Sequence, residues 1–596
     1  MASPHLIAHL RERAARQPDR VAQRYRTADG WQDITWGRLD ADIRAVAAAL
    51  VELGVGEQRM VGIFSANRPE WTVADLGALS ARAVPVPIYP TNTVEQAAYI
   101  VRDAEIEVLF VAGREPLEKA RQVAAGGWPL TLVTFDGATA PSGGAREIPF
   151  TALLELGRRS GRESEVEARL GRVTPDDLLT LIYTSGTTGE PKGVMLTQAN
   201  LTACREIHDL RLDELGDDDT SLCFLPLSHV FERCWTYYVL YRGMVNHYLD
   251  DPTRVVEALQ EVQPTALCVV PRFLEKVHSA IQARVATASP LRQRLLRWAV
   301  ATGRLAMLRT TAGRPVPPLL RLRHRLADRL VLEKLRGILG GRIRIMPCAG
   351  APLAREVEEF FYAIGVRVAH GYGLTETCAT VSFHDRHQVR FGTVGPPMPR
   401  VEVRIGDESE ILIRAPTVMK GYYRKPEATA EAFVGDWFRT GDAGTVDEAG
   451  CLVITDRIKD LIKTSGGKYI APQAIEAALG TDPLIEQAAV VGDLRKYVTA
   501  LIVPAFPLLE ETARQRGIPF DAPADLVSRP EVVELFKERV DAVNRDLARF
   551  EQVKRFTLLP CPFSVEAGEL TPTLKIRRKA VAERHRELIE RMYVEA

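Results

Sequence analysis

Short, nearly continuous apolar runs punctuate this chain, and between them apolar residues recur at helical spacing. RMVGIF (59–64), the run within 107–113, LLTLIYT (178–184), TALCVVP (265–271) and RIRIMPC (342–348) have the length and aliphatic content of buried strands. Alternation of such strands with helix-patterned segments predicts an α/β fold built on largely parallel sheet. GATAPSGGAREIP (137–149) and GRRSGRESE (157–165) have low hydrophobicity and read as surface connections, and no internal repeat is visible. From 284 to 336 the pattern changes: Arg292, Arg294, Arg297, Arg304, Arg309, Arg314, Arg321, Arg323, Arg325 and Arg329 interleave with leucines and meet only Asp328 and Glu333. Basic amphipathic helices interrupted by GRPVPP (313–318) are expected there, presenting either a solvated face or a surface for anionic membranes.

At 596 residues the chain exceeds what one core supports, so several subdomains are expected. The 77 basic and 77 acidic side chains cancel, leaving no net field to attract nucleic acid. Eight cysteines are scattered without a C-x-x-C pair or zinc-finger spacing, and read as reduced core residues of an intracellular protein. MASPHLIAHL has neither the basic start nor the apolar stretch of a signal peptide, and no apolar run approaches the roughly 20 residues of a membrane span. A cytoplasmic protein is expected, with peripheral contact to the inner face of a membrane left open.

The candidate chemistry begins at YTSGTTGEPKG (183–193). A Gly/Ser/Thr loop leaving a strand offers backbone N–H groups and hydroxyls to an anion, and Lys192 adds a point charge. It is not the G-x-x-x-x-G-K-[ST] loop, because Gly189 precedes Lys192 by three residues and Gly193 follows it. Read whole, TSGTTGEPKG resembles the phosphate loop of the adenylate-forming superfamily, and that superfamily's other signatures follow in order: GYGLTET (371–377), WFRTGD (437–442), DRIKDLIKTSGGKYIAP (456–472) and LTPTLKIRR (570–578).

The resemblance implies an α/β architecture: a large N-terminal domain (1–456) with β-sheets flanked by helices and a basic helical insertion at about 280–336, hinged to a small mobile α+β domain (457–596). It implies that a carboxylate oxygen attacks the α-phosphorus of ATP, pyrophosphate leaves, and an acyl adenylate remains. Thr184, Ser185, Gly186, Thr187, Thr188, Gly189 and Lys192 would then hold the phosphates, with Glu376 and Thr184 as Mg²⁺ ligands and Thr375 at the α-phosphate. Tyr372 and Gly373, facing Gly350, Ala351 and Pro352, would take the adenine, and Asp442 with Arg457 the ribose. His229 in LPLSHVFER would sit at the carboxylate end of the acyl site, and Lys575 would reach the carboxylate and α-phosphate. His384 and His387 have no third ligand nearby in sequence and read as surface loop residues.

SGGKYI resembles the loop lining the pantetheine tunnel, which implies coenzyme A as acceptor through Ser465, Gly466, Gly467 and Lys468, with Lys459 as hinge. LPLSHVFER, the basic insertion, GYYRKPEAT (421–429) and the extended tail are similar to bacterial long-chain fatty acyl-CoA synthetases. Gln198, Ala349 and Ala415 depart from that pattern and put acyl preference in doubt. The alternatives are an acyl-AMP ligase loading a carrier protein, a CoA ligase for another hydrophobic acid, or a non-catalytic acyl-binding or membrane-associated homologue. Oligomeric state, a homodimer included, is left open.

Overall fold

The computed structural model describes residues 5–137, 145–184, 190–386, 389–465, 468–571 and 575–594. β1 (Met60–Phe64), β2 (Val84–Ile88), β3 (Val108–Val111), β4 (Thr131–Thr134) and β5 (Arg146–Pro149) form an all-parallel sheet in the order β2-β1-β3-β4-β5. Every residue of β1 and β2 is buried, as strands covered on both faces require. β5 falls inside the stretch read as a surface connection. It is an edge strand without an apolar run to announce it, and Glu147 on it is bound by Arg121 at 2.8 Å. GRRSGRESE is helical at both ends, in Phe150–Arg159 and Glu163–Leu170, with only 160–162 connecting them; the first helix buries Phe150, Leu153, Leu154 and Gly157, one helical stripe beneath a polar face.

Parallel pairing does not dominate the rest. β6 (Leu178–Thr184) and β7 (Lys192–Thr197) form an antiparallel hairpin that leads into α1 (Gln198–Asp209), whose start is fixed by a capping box between Thr197 and Asn200. α2 (Val230–Arg242) follows. TALCVVP is buried through Val269 yet forms only isolated bridges, from Ala266 to Ser221 and Ile345 and from Val269 to Cys348, so apolarity there marks core rather than a strand. α3 (Pro271–Ala286), α4 (Pro290–Thr311) and α5 (Pro318–Ala327) make the basic insertion, and its break falls at GRPVPP as the prolines predict. β8 (Ile345–Cys348) and β9 (Arg367–Tyr372) pair in parallel. β10 (Gly421–Tyr422) adds to β7, and β11 (Trp437–Val446) pairs antiparallel with β12 (Leu452–Arg457).

After β12 the chain builds a second, smaller core. α6 (Pro472–Leu479) and α7 (Pro530–Asn544) pack on a sheet of β13 (Ile485–Val491), β14 (Thr499–Pro504) and β15 (Arg555–Leu558) through Ile475, Leu479, Val490, Ile502, Leu535 and Phe536. This unit meets α3 through polar groups: Glu486 with Arg272 at 3.4 Å and Lys276 at 3.1 Å, and the Ser279 hydroxyl donating to the Thr481 carbonyl. Seven of the cysteines are buried or half-buried, whereas Cys561 is exposed, against the reading of all eight as core.

Candidate active site

Thr184 at the end of β6 lies opposite Lys192 at the start of β7, so Ser185, Gly186, Thr187, Thr188 and Gly189 belong to the hairpin connection and fall outside the described residues. Lys192 Nζ stands 5.0 Å over the ring of Tyr422, whose hydroxyl donates to Glu376 Oε1 at 3.0 Å. β10 delivers that tyrosine by pairing it with Val194 of β7. Thr375 and Glu376 occupy a single 3₁₀ turn after β9. The turn folds back so closely that a Cβ on Gly373 would lie 2.5 Å from the carbonyl carbon of Ala379, which accounts for glycine there. Burial pushes the Glu376 carboxyl above the usual range, while the Tyr422 hydroxyl and the Arg457 charge pull it back.

β8 and β9 are parallel neighbours, so Gly350, Ala351 and Pro352 emerge beside Tyr372 and Gly373 at the carboxyl ends of adjacent strands. Gly350 has φ +100° in that turn. Tyr372 donates its hydroxyl to Asp442 Oδ2 at 2.5 Å, and Arg457 holds Asp442 Oδ1 at 3.1 Å from the facing position on β12. Asp442 is buried while Arg457 is 44% exposed in its side chain, so one ion pair links the interior to the cleft. Desolvation raises the Asp442 pKa against the pull of Arg457 and Tyr372.

His229 is the N-cap of α2, its Nδ1 accepting the Phe231 N–H at 3.2 Å. Burial, with the charge of Lys575, lowers its pKa to about 4, so at pH 7 the ring is neutral with its proton on Nε2, a donor free of the helix. Lys575 comes from the small unit, where the Thr571 N–H donates to its carbonyl at 2.8 Å. Its side chain retains solvent access within the cleft and lies among the charges of Arg457, Asp442, Glu376 and Asp460; desolvation and Arg457 lower its pKa. Enclosure by surrounding groups, not loss of all solvent contact, is what acts on this lysine. The small unit is thus closed over the site with Lys575 inserted.

Beside these groups is a largely apolar cavity, part of it open to solvent. Phe231, Cys234, Trp235 and Tyr238 of α2 and its surroundings form one wall, and Ala349 and Tyr372 join it to the residues above. Of the three departures, Ala349 therefore faces the cavity. Gln198 is the first residue of α1, its N–H bound to the Asp177 carbonyl, and Ala415 packs at the margin of a hydrophobic core.

The predicted acceptor loop is elsewhere. Ser465 donates its N–H to the Arg495 carbonyl, Lys468 Nζ lies 5.9 Å over the Phe550 ring, and Gly466 and Gly467 fall outside the described residues. Lys459 is exposed in the turn after β12, where Asp460 and Leu461 both donate to the Arg457 carbonyl. His384 is not a surface residue: it is fully buried, with Nδ1 3.0 Å from Glu358 Oε1 and Nε2 near the Thr393 hydroxyl. Its surroundings come from a helix and a loop distant in sequence, which spacing could not reveal; His387 falls outside the described residues. Sequence reasoning also missed Tyr422 and Asp456. Asp456 is buried and accepts the Gln473 N–H at 3.1 Å, joining β12 to the start of α6. Both sit in quoted motifs, but nothing in their residue type marks them.

Residues 10–423 match the AMP-binding enzyme family and residues 459–596 the AMP-binding enzyme C-terminal domain. The chain belongs to the AMP-binding enzyme family. Among its relatives in that family, the long-chain-fatty-acid–CoA ligase FadD15 of Mycobacterium bovis is 36% identical over 99% of this chain and 97% of its own length. Long chain acyl-CoA synthetase 6, peroxisomal, of Arabidopsis thaliana is 32% identical over 96% of this chain and 82% of its own. The adenylation domain of the carboxylate reductase from Mycobacterium chelonae superposes with a TM-score of 0.77 at 24% identity, covering 100% of this chain and 92% of that one. This AMP-binding enzyme therefore shares the fold of solved adenylate-forming proteins over its full length.

Proposed function

We propose that the protein joins long-chain fatty acids to coenzyme A in two steps: a carboxylate oxygen attacks the α-phosphorus of ATP and expels pyrophosphate, then the coenzyme A sulfur attacks the acyl carbon and expels AMP. The observation that carries this reading is the convergence of Lys575, from the small unit, on Glu376, Asp442, Arg457 and His229 beside an apolar cavity. Cations and an N–H donor gathered beside an apolar cavity suit a reaction that builds negative charge at a carboxylate and a phosphate. The names of the relatives support a long-chain acid as substrate.

On this reading Asp442 and Arg457 hold the ribose hydroxyls, Tyr372 stacks on adenine against Gly350, Ala351 and Pro352, and Thr375 contacts the α-phosphate. Thr184, the hairpin connection through Gly189, and Lys192 cradle the leaving phosphates. His229, neutral, donates Nε2–H to the carboxylate without neutralising its nucleophilic charge. Mg²⁺ would be held by Glu376 and the Thr184 hydroxyl together with phosphate and water, oxygen donors of the kind this ion takes. When bound, the ion would neutralise phosphate charge. We assign residues 1–456 to the nucleotide and acyl domain and 457–596 to a mobile domain turning at Lys459, whose rotation would exchange Lys575 for Ser465, Gly466, Gly467 and Lys468 lining a coenzyme A tunnel. Among the described residues no helix is long and apolar enough to cross a membrane; an enzyme working at the cytoplasmic face of a bilayer, without nucleic acid, suits a substrate that partitions there.

The test is coenzyme A-dependent AMP release across acids from acetate to stearate plus aromatic acids. Each methylene buried is worth about 0.8 kcal/mol, roughly fourfold, so kcat/KM should climb steeply until the cavity is filled. A maximum at acetate or benzoate removes the long-chain reading, and acyl transfer to a carrier protein but not to coenzyme A removes the acceptor.

A further inference from the structure

α4, α5 and the π-helical turn Asp328–Leu332 carry a surface unlike the rest of the molecule. Of seventeen large apolar side chains exposed among the described residues, eight lie between Leu291 and Leu330, so this is a concentration and not ordinary scatter. Leu319, Leu322, Leu326 and Leu330 are 62%, 65%, 52% and 41% exposed at spacings of three, four and four, one stripe along the α5 axis. Arg321, Arg323, Arg325 and Arg329 alternate with them, and none of the four is in an ion pair with an acidic group among the described residues.

The charge is as lopsided as the apolarity. Residues 290–330 hold ten arginines and one acid, Asp328, a net charge of +9 in a chain whose total is zero, and Asp328 is itself taken by Arg336 at 2.6 Å. The stripe is not a core left open by a loose helix. The opposite side of α4 buries Ala299, Gly303, Ala306 and Met307, and a Cβ on Gly303 would meet the Ala363 backbone, so the insertion is seated firmly on the body with its leucines outward.

We infer that this Arg–Leu face docks on an anionic phospholipid bilayer. Leucines entering the interface remove apolar area from water, while guanidiniums stay at phosphate depth and bind it in a forked geometry. Other occupants satisfy only half of the surface. A nucleic acid neutralises the arginines but leaves the leucine stripe in water. A second copy meeting the first about a twofold axis sets +9 against +9. The inference is independent of the reaction assigned above, and vesicle binding without ATP, acid or coenzyme A reads it alone.

The experiment is co-sedimentation of the full chain with phosphatidylcholine vesicles containing phosphatidylglycerol, with pure phosphatidylcholine vesicles, and with duplex DNA. The parent should bind the anionic vesicles, lose binding as salt rises, and bind neutral vesicles and DNA far more weakly. With about fivefold per basic residue at the surface, Arg321→Glu, Arg323→Glu and Arg325→Glu together should weaken vesicle binding by about a hundredfold or more. Leu319→Ser, Leu322→Ser and Leu326→Ser should weaken it at constant charge, separating insertion from simple attraction. Octanoate activation in detergent-free buffer, unchanged in both variants, reports that they are folded. Equal vesicle binding by parent and arginine variant at low salt overturns the inference, as does insensitivity to the serine changes, and tighter binding to DNA than to anionic vesicles assigns the face to nucleic acid instead.

Discussion

Lys575→Ala separates the two half-reactions. In the closed arrangement Arg457 is engaged with Asp442 at 3.1 Å, whereas Lys575 forms no ion pair among the described residues although it lies among Arg457, Asp442, Glu376 and Asp460. On the proposed function it is the cation available for charge developing between carboxylate and α-phosphate. Removing one aimed group of this kind costs about 2.7–4 kcal/mol, a loss of roughly 10²–10³ in rate. Pyrophosphate release in a single turnover should fall by that factor, while thioester formation from supplied acyl adenylate should change little, because on the proposed cycle Lys575 withdraws before coenzyme A attacks. Enclosure in the cleft and the Arg457 charge lower the lysine's pKa, so adenylation should lose rate with rising pH at a lower pH than an ordinary lysine dictates, and the thioester step should lack that limb. Lys575→Arg, which keeps the charge but not the shape, should fall between parent and alanine. Equal losses in both half-reactions, in a variant with the parent's circular dichroism, would refute the role and leave the small unit as a lid.

Lys459→Pro should give the complementary defect: pyrophosphate exchange near normal and thioester formation impaired, since a fixed φ near −65° restricts the turn that must rotate; impaired exchange with intact thioester formation counts against Lys459 as pivot. Ala349→Leu, filling the cavity wall, should reduce kcat/KM for palmitate more than for octanoate, and equal reductions would place the acyl chain elsewhere. Glu232 on α2 is fully buried with its pKa raised to about 8. A folded pKa above the unfolded 4.5 gives a contribution complete below pH 4.5 and lost as pH rises through about 8, on the order of a few kcal/mol at full extent, so Glu232→Gln should flatten the fall in denaturation midpoint between pH 5 and 8; an unchanged slope rejects the assignment.

What was legible in the sequence was local. LLTLIYT, RMVGIF and the GRPVPP break follow from apolar runs and proline chemistry, and each is where the pattern puts it. TALCVVP failed because burial and ladder pairing are different conditions: the segment fills the core between neighbours without a complete set of strand partners. REIP failed for the converse reason, since an edge strand stabilised by an Arg121–Glu147 pair needs no apolar alternation. His384 shows the limit for single residues. Its charge environment is made by Glu358 and Thr393, and no spacing rule reaches across such separations. Candidate residues were named where a motif carries a recognised role; Tyr422 and Asp456 lie inside such motifs, but their contacts with Glu376 and Gln473 come from pairing between strands and helices that the motifs do not state.

On the proposed cycle the closure that brings Lys575 to the site is undone after the first step, and the contacts across it are suited to that. Glu486 meets Arg272 and Lys276 with side chains 39%, 36% and 60% exposed, and the Ser279–Thr481 bond adds one neutral contact at 3.3 Å. Half-exposed ion pairs are worth about 0–1 kcal/mol each after solvent screening, and a neutral hydrogen bond about 1 kcal/mol. The seam across α3 thus stabilises the closed state by a few kcal/mol at most, the scale on which a ligand's differential affinity moves a two-state equilibrium. Buried coupling is concentrated instead at the pivot, where the Asp456 carboxylate, buried and raised to about pKa 6, receives the Arg457 and Gln473 N–H groups and ties β12 to α6. On the proposed cycle the weak seam leaves the closed arrangement able to open about residues 457–460, at the cost of the Asp456–Gln473 bond that spans them.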